Sequence, residues 1–278
     1  MHRAEIHQES RRLWLLSGTG EGPVLAQQLL AMGWQLTVSV VTPAAALAYS
    51  ASDDLTIQVG ALAGEAGVGA ELAAARAAGH PYAVVVDASH PFACQVSRDL
   101  AAVCGRQQQR LLRLLRPALA GPATLLPALE DLQAVPLAGQ NLLLAIGARQ
   151  LAVAMAQSRG ARHHARLLPT ANSLQQAMAA GLEPDRVACL RPGSDLAVER
   201  ALVRRWRITT VLARQSGGPT EQLWRRICRS EGLGLLLLRR PQEQAGVEGL
   251  DAEALLATLA GRSVARAAFS PDAGPPAP

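Results

Sequence analysis

Three polar side chains suited to acid–base chemistry follow a short apolar run in the first half of the chain. The β-branched residues at 84–86 predict a strand buried on both faces, and Asp87, Ser89 and His90 come directly after it. Pro91 then suits the first position of a helix. In an open parallel sheet this strand-to-helix point lies at the carboxyl edge, where ligands bind. The residues therefore predict an imidazole that can exchange a proton, although Asp87 and Ser89 could instead only satisfy backbone N–H groups of the helix.

A second stretch suited to chemistry is a glycine-rich turn at the end of the strand predicted over 13–17. It consists of Ser17, Gly18, Thr19, Gly20, Glu21 and Gly22. Such a turn brings backbone N–H groups close to a phosphate, and the helix that follows favours negative charge at its N-terminus. The spacing is not G-x-G-x-x-G, so a tight turn without a ligand remains an alternative. Thr42, after the next predicted strand, offers a hydroxyl to the same phosphate-bearing ligand.

The basic residues are all arginine, because the chain contains no lysine. This excludes Schiff-base chemistry on a lysine and a P-loop lysine. Residues 13–105 contain two arginines and seven acids, a net charge of −5, whereas residues 106–240 contain twenty arginines and eight acids, a net charge of +12. The difference predicts an anionic ligand held mainly by the second half. Nucleic acid is the rival ligand, but the arginines form neither a basic arm nor a recognised motif.

Length and composition limit the class of protein. The 278 residues suffice for two domains of about 100–150 residues each, and an aromatic content of 3% argues against base-stacking surfaces. The cysteines form no C-x-x-C pair, which predicts reduced thiols in a cytoplasmic protein. Residues 1–12 do not resemble a signal peptide, and Gly33 and Pro43 interrupt the uncharged run at 22–52. We therefore expect no membrane segment.

Strands alternate with helices in both halves of the chain. This pattern predicts an α/β protein with two doubly wound, Rossmann-like parallel-sheet domains and a ligand cleft between them. We place the N-terminal domain at 13–120 and the C-terminal domain at 140–262. The Pro-, Ala- and Leu-rich stretch at 121–139 is predicted to connect them, and residues 1–12 and 263–278 are predicted to be unstructured.

Several of these motifs together resemble one known family. The sequence VVVDASHPFA at 84–93, followed by Arg116-Pro117, resembles the signature of the precorrin-6A reductase family of cobalamin biosynthesis, with Ser89 in place of the usual Thr. The glycine-rich turn at 17–22 resembles the turn that opens the same family. The further resemblances, in chain order, are Gly147-Ala148-Arg149, the partial match Arg191-Pro192-Gly193-Ser194, Arg214 with Ser216-Gly217-Gly218, and Arg240-Pro241.

The resemblance implies an enzyme that reduces a carbon–carbon double bond of precorrin-6A, or of its cobalt complex, with NADPH. The cofactor would bind the turn at 17–22 and Thr42, and no metal is expected. His90 is the predicted proton donor, with Asp87 orienting it, although His90 could contact the substrate without transferring a proton. Arginine binds the substrate's carboxylates bidentately. The residues predicted to bind substrate are Ser89, Arg116, Arg149, Ser194, Arg214, Ser216, Gly217, Gly218 and Arg240.

One departure from the family pattern affects the cofactor. The family usually has an Ala-Gly-Arg turn after the second strand, whereas this chain has Val41-Thr42-Pro43-Ala44. No basic residue occurs between Arg12 and Arg76, which leaves open how a 2′-phosphate is bound. Two other functions also remain open: a non-catalytic module that binds a dinucleotide or tetrapyrrole, and another NADP-dependent oxidoreductase. We expect no nucleic-acid partner, and transient contact with neighbouring enzymes of the corrin pathway is a further possibility.

Overall fold

The computed structural model describes residues 11–18, 20–191 and 196–261. The described residues form two units, one containing residues 11–117 together with 241–261, and the other containing those between 118 and 240. Each unit contains a six-stranded sheet in which every strand is parallel to its neighbours. The prediction of two doubly wound parallel-sheet domains is therefore confirmed.

The first unit has the strand order β3-β2-β1-β4-β5-β12, so the order reverses between β1 and β4. Its apolar strands are buried on both faces: Leu13 and Leu15 pack into one core, and Trp14 and Leu16 into a second core on the opposite face. Its elements are β1 (Arg12–Leu16), α1 (Gly22–Ala31), β2 (Gln35–Val40), α2 (Pro43–Ala46), β3 (Leu55–Val59), α3 (Gly64–Ala77), β4 (Val84–Asp87), α4 (Cys94–Arg106), β5 (Leu111–Leu114), β12 (Glu248–Leu250) and α9 (Ala252–Leu259).

The second unit repeats this arrangement with the strand order β9-β8-β7-β10-β11-β6. Its order reverses between β7 and β10, and Trp224 and Ile227 of α8 pack on strands β10 and β11. Short 3-10 helices cover 129–134, 148–150 and 184–186. The other elements are β6 (Thr124–Leu126), β7 (Asn141–Ala145), α5 (Leu151–Gln157), β8 (Arg162–Leu167), α6 (Ala171–Ala179), β9 (Val187–Cys189), α7 (Ala197–Arg205), β10 (Thr210–Arg214), α8 (Pro219–Glu231) and β11 (Gly234–Leu238).

The stretch predicted as an interdomain connection, 121–139, is part of the second unit. It contains strand β6, which pairs with β11 and forms the edge of the second sheet. Leu126, Leu129 and Leu132 are each at most 6% exposed, so this stretch also contributes to a core. Strand β6 has only three residues and lies among Pro and Gly residues, so its sequence does not show the alternation typical of a strand. It is stabilised by pairing with β11.

The end of the described chain also differs from the prediction, which assigned residues up to 262 to the C-terminal domain. Strand β12 pairs with β5 of the first sheet, and Leu255 and Leu259 of α9 are buried in the first unit's core. A Cβ on Gly249 would lie 2.6 Å from the Leu115 side chain, so only glycine allows β12 to approach this closely. No helix in the described part of the chain is both long and apolar enough to cross a membrane.

His164 on β8 is a buried histidine outside the predicted site. It is 5% exposed and its ring lies 5.0 Å from that of Trp206, while neither ring nitrogen has a hydrogen-bond partner among the described residues. Burial, and to a smaller extent the positive charges of Arg186 and Arg162, lower the pKa of His164 to about 4. The imidazole is therefore neutral in the folded protein at neutral pH.

We expect acid to destabilise the protein through His164. In the unfolded chain the imidazole takes up a proton near pH 6.5, whereas the folded protein resists it until about pH 4. The free energy of unfolding should be fully retained above pH 6.5 and fall as the pH drops towards 4, by on the order of 2–3 kcal/mol from this residue. Urea unfolding across this range, compared with His164→Leu, measures the effect. An equally steep pH dependence in the variant would assign the loss to other groups.

Candidate functional site

The predicted residues of the first half lie at the carboxyl edge of the first sheet. Strands β1 and β4 are neighbours, and Leu16 pairs with Asp87 at their ends. The turn that begins at Ser17 and the turn that carries His90 therefore leave the sheet from the same position, at the point where the strand order reverses. In doubly wound sheets this point is where ligands bind.

The glycine-rich turn is fixed by a tyrosine that the sequence did not single out. The Tyr49 hydroxyl donates to the Gly18 carbonyl oxygen at 2.8 Å, and burial raises the pKa of Tyr49, although the Ser17 hydroxyl opposes this shift in part. A Cβ on Gly22 would lie 2.1 Å from Ser17 Oγ and 2.3 Å from the Tyr49 hydroxyl oxygen. Glycine is therefore required at position 22, because the helix start packs directly against the turn.

The same turn fits the phosphates of a dinucleotide. A Cβ on Gly18 or Gly20 would meet no atom within 4 Å, so the backbone there is open to a ligand. Helix α1 has no acidic residue in its first turn, and Glu21 before it is paired with Arg116 at 2.8 Å. This ion pair offsets the negative charge that would otherwise repel a phosphate. Thr19, also predicted to bind the cofactor, lies outside the described residues.

Two other residues of this edge have contacts that bear on their predicted roles. The Arg116 guanidinium, predicted to bind substrate, contacts Glu21 of the glycine-rich turn and is 11% exposed. The Thr42 side chain is the N-cap of the short helix α2, where its oxygen accepts from the Ala45 N–H at 3.2 Å. Substrate binding by Arg116 and cofactor binding by Thr42 stay predictions.

Asp87 lies at the end of β4 and is only 2% exposed. Its Oδ1 accepts from the Ser89 N–H at 2.9 Å and lies 2.8 Å from Nη1 of Arg113, while its Oδ2 accepts from the Ser97 hydroxyl at 2.6 Å. Both carboxylate oxygens are thus engaged, by the turn itself, by strand β5 and by helix α4. Through these contacts Asp87 holds the backbone that leads to His90. That Asp87 also orients the imidazole stays a prediction.

His90 is exposed at the same edge. Its Nδ1 accepts a hydrogen bond from the Phe92 N–H at 3.2 Å, so a neutral imidazole carries its proton on Nε2. The Ala93 N–H donates to the His90 carbonyl oxygen at 2.7 Å and closes a turn over residues 90–93, so helix α4 begins at Cys94 and not at Pro91 as predicted. The imidazole therefore belongs to a turn that precedes the helix.

The predicted residues of the second half lie at the carboxyl edge of the second sheet. Arg214 ends β10, and its Nη2 donates to Oε1 of Gln150 at 2.8 Å. Gln150 belongs to the 3-10 helix after β7, which follows Gly147 with its positive φ of 84°. Arg149 of the same helix is exposed. Neighbouring strands β7 and β10 thus bring Arg149 and Arg214 to one edge of the sheet.

The Ser216-Gly217-Gly218 turn connects β10 to α8. Ser216 is only 3% exposed, and the Gly217 N–H donates to Oε2 of Glu221 at 2.7 Å. Glu221 is itself 1% exposed and accepts from Nε of Arg225 at 2.8 Å. The backbone N–H of Arg240, after β11, donates to the Gln215 side chain at 3.2 Å, so Arg240 also lies at this edge. Ser194 falls outside the described residues.

An open groove of about 750 Å³ lies at the opposite, amino edge of the second sheet. It is lined by residues 119–124 before and at the start of β6, by helix α8, and by residues 233–235 at the start of β11. None of the predicted site residues lines this groove. The groove is therefore separate from the candidate site at the carboxyl edge.

Sequence reasoning missed the side chains that hold these turns in place. Tyr49, Ser97 and Glu221 carry no local motif, since each acts through a contact that only the fold brings about. Arg113 did carry a signal: it is a charge inside the apolar strand LLRL. A buried charge requires a partner, and this requirement could have directed attention to it.

Comparisons with known proteins agree with this arrangement. A family model described as "Precorrin-6x reductase CbiJ/CobK" matches residues 12–260. The cobalt-precorrin-6A reductase of Synechocystis sp. is 35% identical over 243 residues, which cover 84% of this chain and 90% of the relative. The precorrin-6A reductase of Rhodococcus erythropolis is 30% identical over 253 residues, which cover 86% of this chain and 93% of the relative.

The fold agrees as well. A solved structure described as CobK precorrin-6A reductase superposes with a TM-score of 0.71 at 28% identity, covering 90% of this chain and 96% of the other. The resemblance noted in the sequence motifs thus extends over nearly the whole chain, in sequence and in fold. The chain belongs to the precorrin-6x reductase family.

Proposed function

We propose that this protein uses NADPH to reduce a carbon–carbon double bond of precorrin-6A, or of its cobalt complex, giving the dihydro product in the cytoplasm. Family membership makes the chain an oxidoreductase that acts on a CH–CH bond. The observation that carries the proposal is the pairing of Leu16 with Asp87, which starts the glycine-rich turn and the His90 turn from one position. A dinucleotide on the first turn would lie beside the imidazole on the second.

After hydride transfer, the protein itself must stabilise the charge on the substrate, and His90 is placed to do so. A bound NADPH would supply the hydride, and the negative charge that this leaves on the conjugated macrocycle requires a proton or a positive field from the protein. His90 is exposed, and because its Nδ1 accepts from the Phe92 N–H, its Nε2–H is the ring donor that can hydrogen-bond the developing anion. To transfer that proton, the ring must first take up a second proton from solvent at Nδ1 in place of the Phe92 hydrogen bond, so that a neutral imidazole remains after the transfer. His90 as proton donor is therefore part of the proposal.

The substrate's carboxylates require positive charge from the second unit. Residues 118–240 contain sixteen arginines and eight acids, a net charge of +8. Arg149, Arg214 and Arg240 lie at the carboxyl edge of the second sheet, beside the buried Ser216 turn. We propose that these arginines bind the carboxylates and that the Ser216 turn contributes backbone N–H groups.

The decisive experiment combines purified protein, NADPH and enzymatically made precorrin-6A, and follows the chromophore and NADPH absorbance together. Loss of both signals in equal amounts supports the proposed reductase. Binding of NADPH or tetrapyrrole without turnover would support a non-catalytic binding module instead. Oxidation of NADPH with other small molecules, but not with precorrin-6A, would support a different oxidoreductase. The same assay with cobalt-precorrin-6A determines which form is reduced faster.

We expect NADPH to be preferred over NADH, with a preference that weakens as salt is raised. The loop after β2 contains no basic residue, and Thr42 caps α2, so we propose that an arginine from the second half of the chain binds the 2′-phosphate; weak selectivity between NADPH and NADH is the alternative outcome. An exposed ion pair of this kind is screened by salt over about 10 Å at 0.1 M. Measuring kcat/KM with both cofactors at low and high salt tests this. A preference abolished by Thr42→Ala alone would contradict it.

Arg214→Ala should mainly raise KM for the tetrapyrrole. Loss of one charged hydrogen bond costs about 1.5–3 kcal/mol of substrate binding, and Arg214→Lys should keep part of the activity because it keeps the charge. Arg205→Ala is the matched control, since Arg205 is exposed on α7 and lies away from the carboxyl edge. Steady-state kinetics of the three variants test this. If KM and kcat of Arg214→Ala equal those of Arg205→Ala, Arg214 does not bind the substrate.

A further inference from the structure

Arg113 is a buried charge at the centre of the first unit's candidate site. It lies on β5, where its neighbours on the strand are leucines, and it is 4% exposed. Arg113 pairs with Asp87 across strands β5 and β4, so its side chain leaves the sheet beside the end of β4. A guanidinium in this position is stable only if several acceptors surround it.

The acceptors of Arg113 all belong to two segments. Its Nη1 contacts Asp87 Oδ1 at 2.8 Å and donates to the Ser89 carbonyl oxygen at 3.1 Å and to Ser89 Oγ at 3.2 Å. Its Nε donates to Glu243 Oε2 at 2.9 Å. One planar group therefore joins the turn immediately before His90 to a carboxylate that lies 130 residues after Arg113 itself.

Glu243 completes this arrangement from the segment between Pro241 and β12. Its side chain is 33% exposed, whereas those of Arg113 and Asp87 are 5% and 3% exposed. A rigid fork that binds Asp87 and Ser89 through one nitrogen and Glu243 through another has a single orientation that satisfies all of them. The orientation of the guanidinium, and with it the backbone of the Ser89 turn, thus depends on a residue from the end of the chain.

We propose that Arg113 and Glu243 are positioning residues for the reduction. Arg113 holds the Asp87–Ser89 backbone so that His90 is presented to the substrate, and Glu243 holds the Arg113 guanidinium in the orientation that does so. This inference rests on the proposed function. It adds to that function two residues that act through the turn before His90, and one of them comes from the segment after Pro241.

The principal test is Glu243→Gln, which keeps the shape of the side chain and removes its charge near the surface. We expect kcat to fall about tenfold with KM for NADPH unchanged, because small displacements of a reacting group reduce the rate without weakening binding elsewhere. Arg113→Lys should lower kcat further, since an ammonium cannot bind both segments in one plane. Glu248→Gln is the matched control, because it removes the charge of an exposed acid at the start of β12, shortly after Glu243.

A second measurement separates positioning from general stability and from the proposed reaction itself. Hydrogen exchange in a peptide covering 88–93 should quicken in Glu243→Gln and stay unchanged in Glu248→Gln, while the melting temperatures of both remain close to that of the wild type. Unchanged exchange and unchanged kcat in Glu243→Gln would overturn the inference. Absence of precorrin-6A reduction by the wild-type protein would refute the proposed function, whatever the exchange shows.

Discussion

His90→Ala is expected to lower kcat by on the order of 10²–10⁴ while the protein remains folded. The imidazole is exposed, and within the turn its Nδ1 accepts the Phe92 N–H at 3.2 Å and its ring lies 5.8 Å from that of Phe92. The backbone of the turn is held independently by Asp87 and Arg113. Stopped-flow measurement of a single turnover isolates the chemical step from product release.

The matched control is His80→Ala. His80 is an exposed histidine that precedes β4 at the opposite end of the strand, and Arg12 bonds to its carbonyl oxygen rather than to its side chain. The control should retain the wild-type kcat. A His90 variant that melts at lower temperature but keeps normal activity per folded molecule would show that the histidine only stabilises the turn.

Gly20→Ala and Gly22→Ala are expected to have different effects, a weaker binding of NADPH in the first and a less stable free protein in the second. A Cβ on Gly20 meets no atom within 4 Å, so the variant should fold with a change in stability of no more than about 0.5 kcal/mol. If the cofactor's phosphates occupy that space, the methyl group excludes them, and the Kd should rise at least about tenfold, or about 1.4 kcal/mol. Titration of NADPH fluorescence measures the change directly.

Gly22→Ala instead damages the free protein. Its methyl group would lie 2.1 Å from Ser17 Oγ, and relieving that overlap should cost about 1–3 kcal/mol of stability. Thermal melting without cofactor therefore distinguishes the two variants before any ligand is added. Wild-type affinity in Gly20→Ala would mean that the dinucleotide does not lie over this turn.

The sequence predicted the strands and helices that depend on local patterns. The strand predicted over 13–17 is β1 (Arg12–Leu16), and the β-branched run at 84–86 is β4 (Val84–Asp87), because each is an apolar run bounded by turn residues. The end of the second of these strands then placed His90 at a carboxyl edge, since the edge follows from the direction of a parallel strand.

The sequence could not predict features that depend on pairing between distant segments. Strands β6 and β12 have three residues each and no amphipathic pattern, and each exists because a neighbouring strand offers an open edge. The division of the chain at 121–139 failed for this reason. The roles of Asp87 and Arg113 were hidden for a similar reason, because spacing reveals where a side chain lies but not which distant group it meets.

The late position of β12 has a consequence for the synthesis of the protein. The ribosome synthesises β5 and the second unit before residues 248–250, so until β12 is made the edge of β5 in the first sheet is unpaired. An unpaired edge is a template for association with other chains. During the same interval Arg113 lacks Glu243. The nascent protein should therefore depend on protection of that edge, and should gain a complete His90 turn only when nearly all of its chain has emerged.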